Sequence, residues 1–110
     1  MSVLKRESME LYVYSFQRGK IEEQVAEAKE CAKTYVTLEN VIGGFYKGSR
    51  IKKEAIGHIC GWEENTIMFL EENRNAAIEK FISKERMKEK IAKEKLDIVQ
   101  ERIAYLENLK

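Results

Sequence analysis

Three features of this 110-residue chain predict an all-α fold, a small helical domain followed by a long C-terminal helix of coiled-coil character. Proline is absent, so no residue interrupts a helix by removing a backbone donor. Apolar residues recur at three-and-four spacing between Ile21 and Ile42, as along one face of a helix. In SKERMKEKIAKEK, beginning at Ser83, nine of thirteen residues are charged, the composition of a solvated helix. With 44% apolar and 35% charged residues, the chain belongs with soluble helical domains rather than disordered segments. Its length suits one core, so residues 1–82 are expected to form a helical domain and 83–110 a charged oligomerisation helix.

Taken in order, Ser8 can cap a short helix with Met9, Tyr12, Val13 and Phe16 on one face. Residues 11–16, LYVYSF, also have strong strand propensity, but no second strand follows in the pattern, so helix is preferred and an intermolecular strand is the alternative. Gly19 breaks the chain. Ile21, Val25, Ala28, Ala32, Tyr35 and Ile42 then form the apolar stripe of a second helix, with Glu22, Glu23 and Glu27 near its positive end. Gly43-Gly44 ends it. Ser49 can cap a third helix over Arg50–Cys60, Gly61 turns the chain, and a fourth helix opens at Glu63 or Asn65 and continues toward Ile82.

Beyond Ser83 the apolar seam strengthens: Ala92, Leu96, Val99, Ile103 and Leu106 alternate at four and three. This is a short heptad stretch, fit for self-association or for folding back on the domain. Leu96, Val99, Ile103 and Leu106 are the candidate oligomerisation residues.

The segment from Lys53 to Glu72, KEAIGHICGWEENTIMFLEE, places Ile56, Gly57, Cys60, Gly61, Trp62, Ile67 and Leu70 at the spacing of two short helices packed around a glycine turn. It resembles the helix-turn-helix superfamily, and the resemblance implies a second helix that enters the DNA major groove. The string CGWEENTIMFLEEN is also similar to the opening motif of mercury-resistance-type regulators, and the tail EKLDIVQERIAYLENLK to their C-terminal dimerisation helix. In that family the motif is N-terminal, whereas about fifty residues precede it here; Met68-Phe69 stands where an arginine-tyrosine pair is expected, and no wing hairpin follows. The order of elements is closer to that of phage small-terminase subunits.

Catalytic and metal chemistry find little purchase. His58 and Cys60 make an isolated H-x-C without a second ligand pair. Cys31 and Cys60 read as free thiols of a reducing compartment, and the chain lacks a nucleophile elbow, a phosphate loop and a dinucleotide fingerprint. A non-enzymatic protein without cofactor or metal is expected. It is also expected to be cytoplasmic, because no apolar run approaches the ~20 residues of a membrane span and the first sixteen residues do not resemble a signal peptide.

Net charge is +1, but its distribution is uneven. Residues 47–53 sum to +4 and 73–95 to +4, flanking residues 54–72 at −5. The expected function is therefore DNA binding by an oligomer, as a regulator or a phage or mobile-element accessory factor. Lys47, Arg50, Lys52, Lys53 and Arg74 would hold phosphates, with Asn65 and Thr66 at a base edge or phosphate. Glu63, Glu64, Glu71 and Glu72 would repel a polyanion, which favours an alternative: a protein-binding adaptor or inhibitor using Met68 and Phe69 inside an acidic rim.

Overall fold

The computed structural model describes residues 8–110 and replaces the expected all-α domain with a β-sheet. Five antiparallel strands, β1 (Met9–Gln17), β2 (Lys20–Glu30), β3 (Thr34–Thr37), β4 (Arg50–Lys52) and β5 (Thr66–Phe69), form a half-barrel in the order β4-β3-β2-β1-β5. A single 34-residue helix, α1 (Arg74–Glu107), follows and gives the molecule extents of 83 × 23 × 20 Å. Residues 1–7 of the expected first domain lie outside the described residues.

β1 shows why LYVYSF is a strand. Leu11 and Val13 face one core, with Ala26, Ala28, Tyr35, Val41, Ile51 and Met68. Tyr14, flanked by Tyr12 and Phe16, faces a second core with Ile67, Ala77 and Phe81. A strand covered on both faces reads as a continuous apolar run instead of an alternating one. Its partner is β2, in register from Met9 opposite Ala28 to Gln17 opposite Lys20. Arg18 and Gly19, at φ 54° and 75°, make the two-residue hairpin turn whose twist matches that of the strands.

β2 is where the helical expectation fails. KIEEQVAEAKE has the composition of a helix, and Ile21, Val25 and Ala28 happen to fall at helical spacing. The spacing that matters is two: Ala26 and Ala28 are fully buried against β1, while Val25 is half exposed on the other face. Pairing with β1 on one side and β3 on the other satisfies its backbone groups, and that tertiary gain overrides local propensity. Gly43-Gly44 belongs to a turn closed by a Val41–Phe45 bridge, not to a helix end. Ser49 caps no helix; its Oγ donates to the Tyr46 carbonyl at 2.6 Å just before β4.

The helix-turn-helix assignment is overturned as well. Lys53–Ala55 is one 3₁₀ turn, the chain then loops, and Thr66–Phe69 is strand β5 on the edge of the sheet beside β1. Gly61 does take a left-handed conformation (φ 98°), but it turns a loop in which Cys60 bridges to Thr66. Trp62, expected in a corner between helices, is 92% exposed. Ile67 is buried as expected of a core residue, though on a strand. α1 runs without a break through the expected boundary at residue 82.

Candidate self-association surface

The start of α1 is fixed to the sheet by several contacts. The backbone N–H of Asn73 donates to the Tyr14 hydroxyl at 2.9 Å, and Arg74 Nε donates to Glu23 of β2 at 2.5 Å. Ala77, with no exposed surface, lets the helix approach closely, and the Phe81 ring lies 5.8 Å from that of Phe16. The Lys84 ammonium donates to the Glu64 carbonyl. From Glu85 onward every residue is exposed, so the rest of α1 projects from the sheet with no contact among the described residues that buries it.

This projecting helix carries the expected oligomerisation residues on one side. Leu96, Val99, Ile103 and Leu106 are 55%, 46%, 50% and 60% exposed. Beside them runs a second row, Ile91, Ile98 and Tyr105, also exposed. The two rows together cover about half the helix circumference at ~100° per residue. At the other end of α1, Phe16 and Ile21 of the β1–β2 hairpin and Ile78, Phe81 and Ile82 of the helix line an open apolar groove of about 460 Å³, with Glu85, Arg86 and Glu89 along its exit. The sequence pattern carried the helix as far as Ile82 without indicating the groove, because Phe16 and Ile21 reach it only through the hairpin.

The residues expected to bind DNA are not assembled as a motif. Arg50 and Lys52 flank buried Ile51 on β4, the opposite edge of the sheet from β5. Arg50 lies across from Val36, and Val36 across from Lys29, so two cations share one face at that edge. Lys47 lies in the preceding turn, its backbone N–H bonded to Asn40 Oδ1. Lys53 is engaged: its ammonium contacts Glu30 at 2.5 Å and lies 5.4 Å from the centre of the Tyr35 ring. The Glu30 hydrogen bond raises its pKa above the ordinary lysine value. Arg74 is engaged with Glu23.

Asn65 and Thr66 stand at the start of β5 instead of at a helix N-terminus. Thr66 has no exposed surface and its Oγ1 donates to Asn65 Oδ1 at 3.0 Å, so it cannot reach a phosphate or base. The alternative partner face fails for the same reason. Met68 is fully buried in the first core, and Phe69 packs edge-on against Tyr14 at 6.0 Å. Alternation along a strand sends these neighbours to opposite faces, so they cannot form one patch.

Cys31 and Cys60 are both free, and burial pushes the Cys60 thiol above its usual range. No helix among the described residues is long and apolar enough to cross a membrane. No protein-family model, curated protein or solved structure matches this chain, so its function is argued from its own surfaces.

Proposed function

We propose that this chain is a non-catalytic assembly module of the cytosol, a sheet domain carried on a helix that pairs with further copies of itself. The observation that carries this reading is the exposed seam of Leu96, Val99, Ile103 and Leu106 on a helix that nothing among the described residues covers. In proteins most helical stability comes from packing of an apolar face rather than from local propensity, and this face is unpacked within the described residues. Burying the remaining half of each of four aliphatic side chains contributes on the order of 1 kcal/mol apiece. Across two copies the gross gain is then roughly 8 kcal/mol, which falls within the ~4–15 kcal/mol lost in association. The distal seam alone thus supports weak pairing, and a tight complex needs more of the helix. Sedimentation equilibrium tests the reading: a mass that rises with concentration through the micromolar range is expected, and a monomer at several hundred micromolar refutes it.

A second reading, nucleic-acid binding, is favoured by Arg50 and Lys52 on the exposed β4 edge, with Lys29 of β2 on the same face and Lys47 in the preceding turn. An oligomer would present these cations more than once and gain from effective concentration. Contacts of this kind go to phosphates and carry little sequence preference. Fluorescence anisotropy with mixed-sequence duplex DNA tests it. Binding that weakens steeply with salt and is lost in Arg50→Ala/Lys52→Ala supports it, and absence of binding at low salt refutes it.

A further inference from the structure

The seam does not stop at Ala92. Stepping back by three and four gives Glu89, Glu85, Ile82 and Ile78, all of which line the groove beside Phe16 and Ile21. One unbroken heptad line therefore runs from the groove to the C-terminal turn of α1, and two glutamates lie in its middle. We infer that the groove receives the C-terminal seam of a second copy, in an antiparallel pair that sets Ile82 against the second copy's Leu106. The inference rests on the self-association proposed above and adds the partner segment, the orientation and the register.

Charge decides the orientation. In a parallel, in-register pair each seam residue meets its own copy, so Glu85 meets Glu85 and Glu89 meets Glu89 in two adjacent layers. Like carboxylates brought together and desolvated are strongly unfavourable. In the antiparallel register with Ile82 opposite the second copy's Leu106, Glu85 falls opposite its Ile103 and Glu89 opposite its Val99. Ala92 meets Leu96, a small residue against a large one. Glu85 also comes beside the second copy's Arg102 on the flank of the seam. This register also brings Lys93 and Lys95 each near its own copy and Lys88 near the second copy's Arg102, but at the exposed flanks, where water and salt screen the repulsion. Two desolvated glutamate layers in the seam outweigh these screened contacts on its flanks. The groove completes the pairing: it is apolar, open, and continuous with the seam, and it offers Phe16 and Ile21 as an extra wall for the incoming Leu106.

Disulfide trapping in the full chain tests the register. In a Cys31→Ser/Cys60→Ser background, the double variant Ile82→Cys/Leu106→Cys is oxidised at a concentration where the parent sediments as an oligomer. Most of the protein is expected as a covalent dimer whose peptide map shows residue 82 joined to residue 106. The single variant Leu106→Cys is expected to form little dimer under the same conditions. Efficient 106–106 joining, or an oligomer with neither linkage, overturns the antiparallel register while leaving self-association intact. A parent that is monomeric throughout removes the underlying reading instead. Folding of each variant is checked by circular dichroism. Should Ile82→Cys lose structure, Glu85→Cys with Ile103→Cys probes the same register outside the sheet contact.

Discussion

In the sheet, Leu11, Val13, Ile67 and Met68 have no exposed surface; along the distal helix, Leu96, Val99, Ile103 and Leu106 keep about half of theirs. The two regions have comparable side chains and differ in what surrounds them. Alternation along β1 and β5 sends successive residues into two separate cores, one inside the half-barrel and one under the first turns of α1. Beyond Lys84 every residue of the helix is exposed, with no neighbour among the described residues to cover it. The contrast separates two kinds of stability. The sheet domain is held by contacts within one chain and is independent of concentration, whereas under the proposed self-association the burial of the distal seam depends on concentration by mass action.

The contrast breaks most visibly in the sheet. Gly43 has φ 89°, and a Cβ there would meet the Thr66 Oγ1 at 2.1 Å. Gly43→Val is expected to cost about 3 kcal/mol or more and to unfold the sheet domain at every protein concentration, as read by chemical denaturation. Met68→Ala leaves a cavity in the first core, with an expected loss of about 2–5 kcal/mol and no change in association at temperatures where it stays folded. In the distal helix the opposite pattern is expected. Val99→Glu with Ile103→Glu abolishes oligomers in sedimentation, lowers helical circular dichroism and leaves the melting of the sheet domain in place. If this variant instead unfolds the sheet, the two regions are not independent and the comparison fails.

Smaller effects sharpen the comparison. Glu85→Leu with Glu89→Leu replaces two charged seam layers by apolar ones and is expected to tighten association at least tenfold while relaxing its orientation, so that 106–106 disulfides begin to form. Weaker association in this variant would show that both glutamates are held by partners across the seam. Cys60 offers a pH probe confined to the sheet domain. Burial raises its thiol pKa in the folded state, so its contribution is fully present below the unfolded value of about 8.5 and is lost as pH rises through the folded one. Melting temperature is expected to fall more steeply above about pH 8.5 in the parent than in Cys60→Ala. Equal slopes would mean that the thiol is solvated.

What could be read directly from the chain was local. Gly19 and Gly61 mark turns, the Lys/Glu-rich segment after Ser83 is helix, and Leu96–Leu106 forms an apolar seam, because each of these depends on neighbours within one or two turns. That the seam is exposed rather than folded back was decided by the tertiary structure. The sheet depended on distant pairing. Nothing within KIEEQVAEAKE signals a strand; it becomes one because β1 and β3 lie on either side of it and complete its hydrogen bonds. Likewise TIMF carries the apolar spacing of a short helix, and only its register against Tyr12–Ser15 makes it strand β5, with Met68 turned inward. The groove at Ile78 and Ile82 was half legible. Its helix wall follows from the heptad line, but its other wall, Phe16 and Ile21, exists only because the Arg18–Gly19 turn folds β2 back along β1. Periodicity reports which face of an element is apolar; which elements meet that face is decided by contacts across the whole chain, because packing joins residues far apart in sequence.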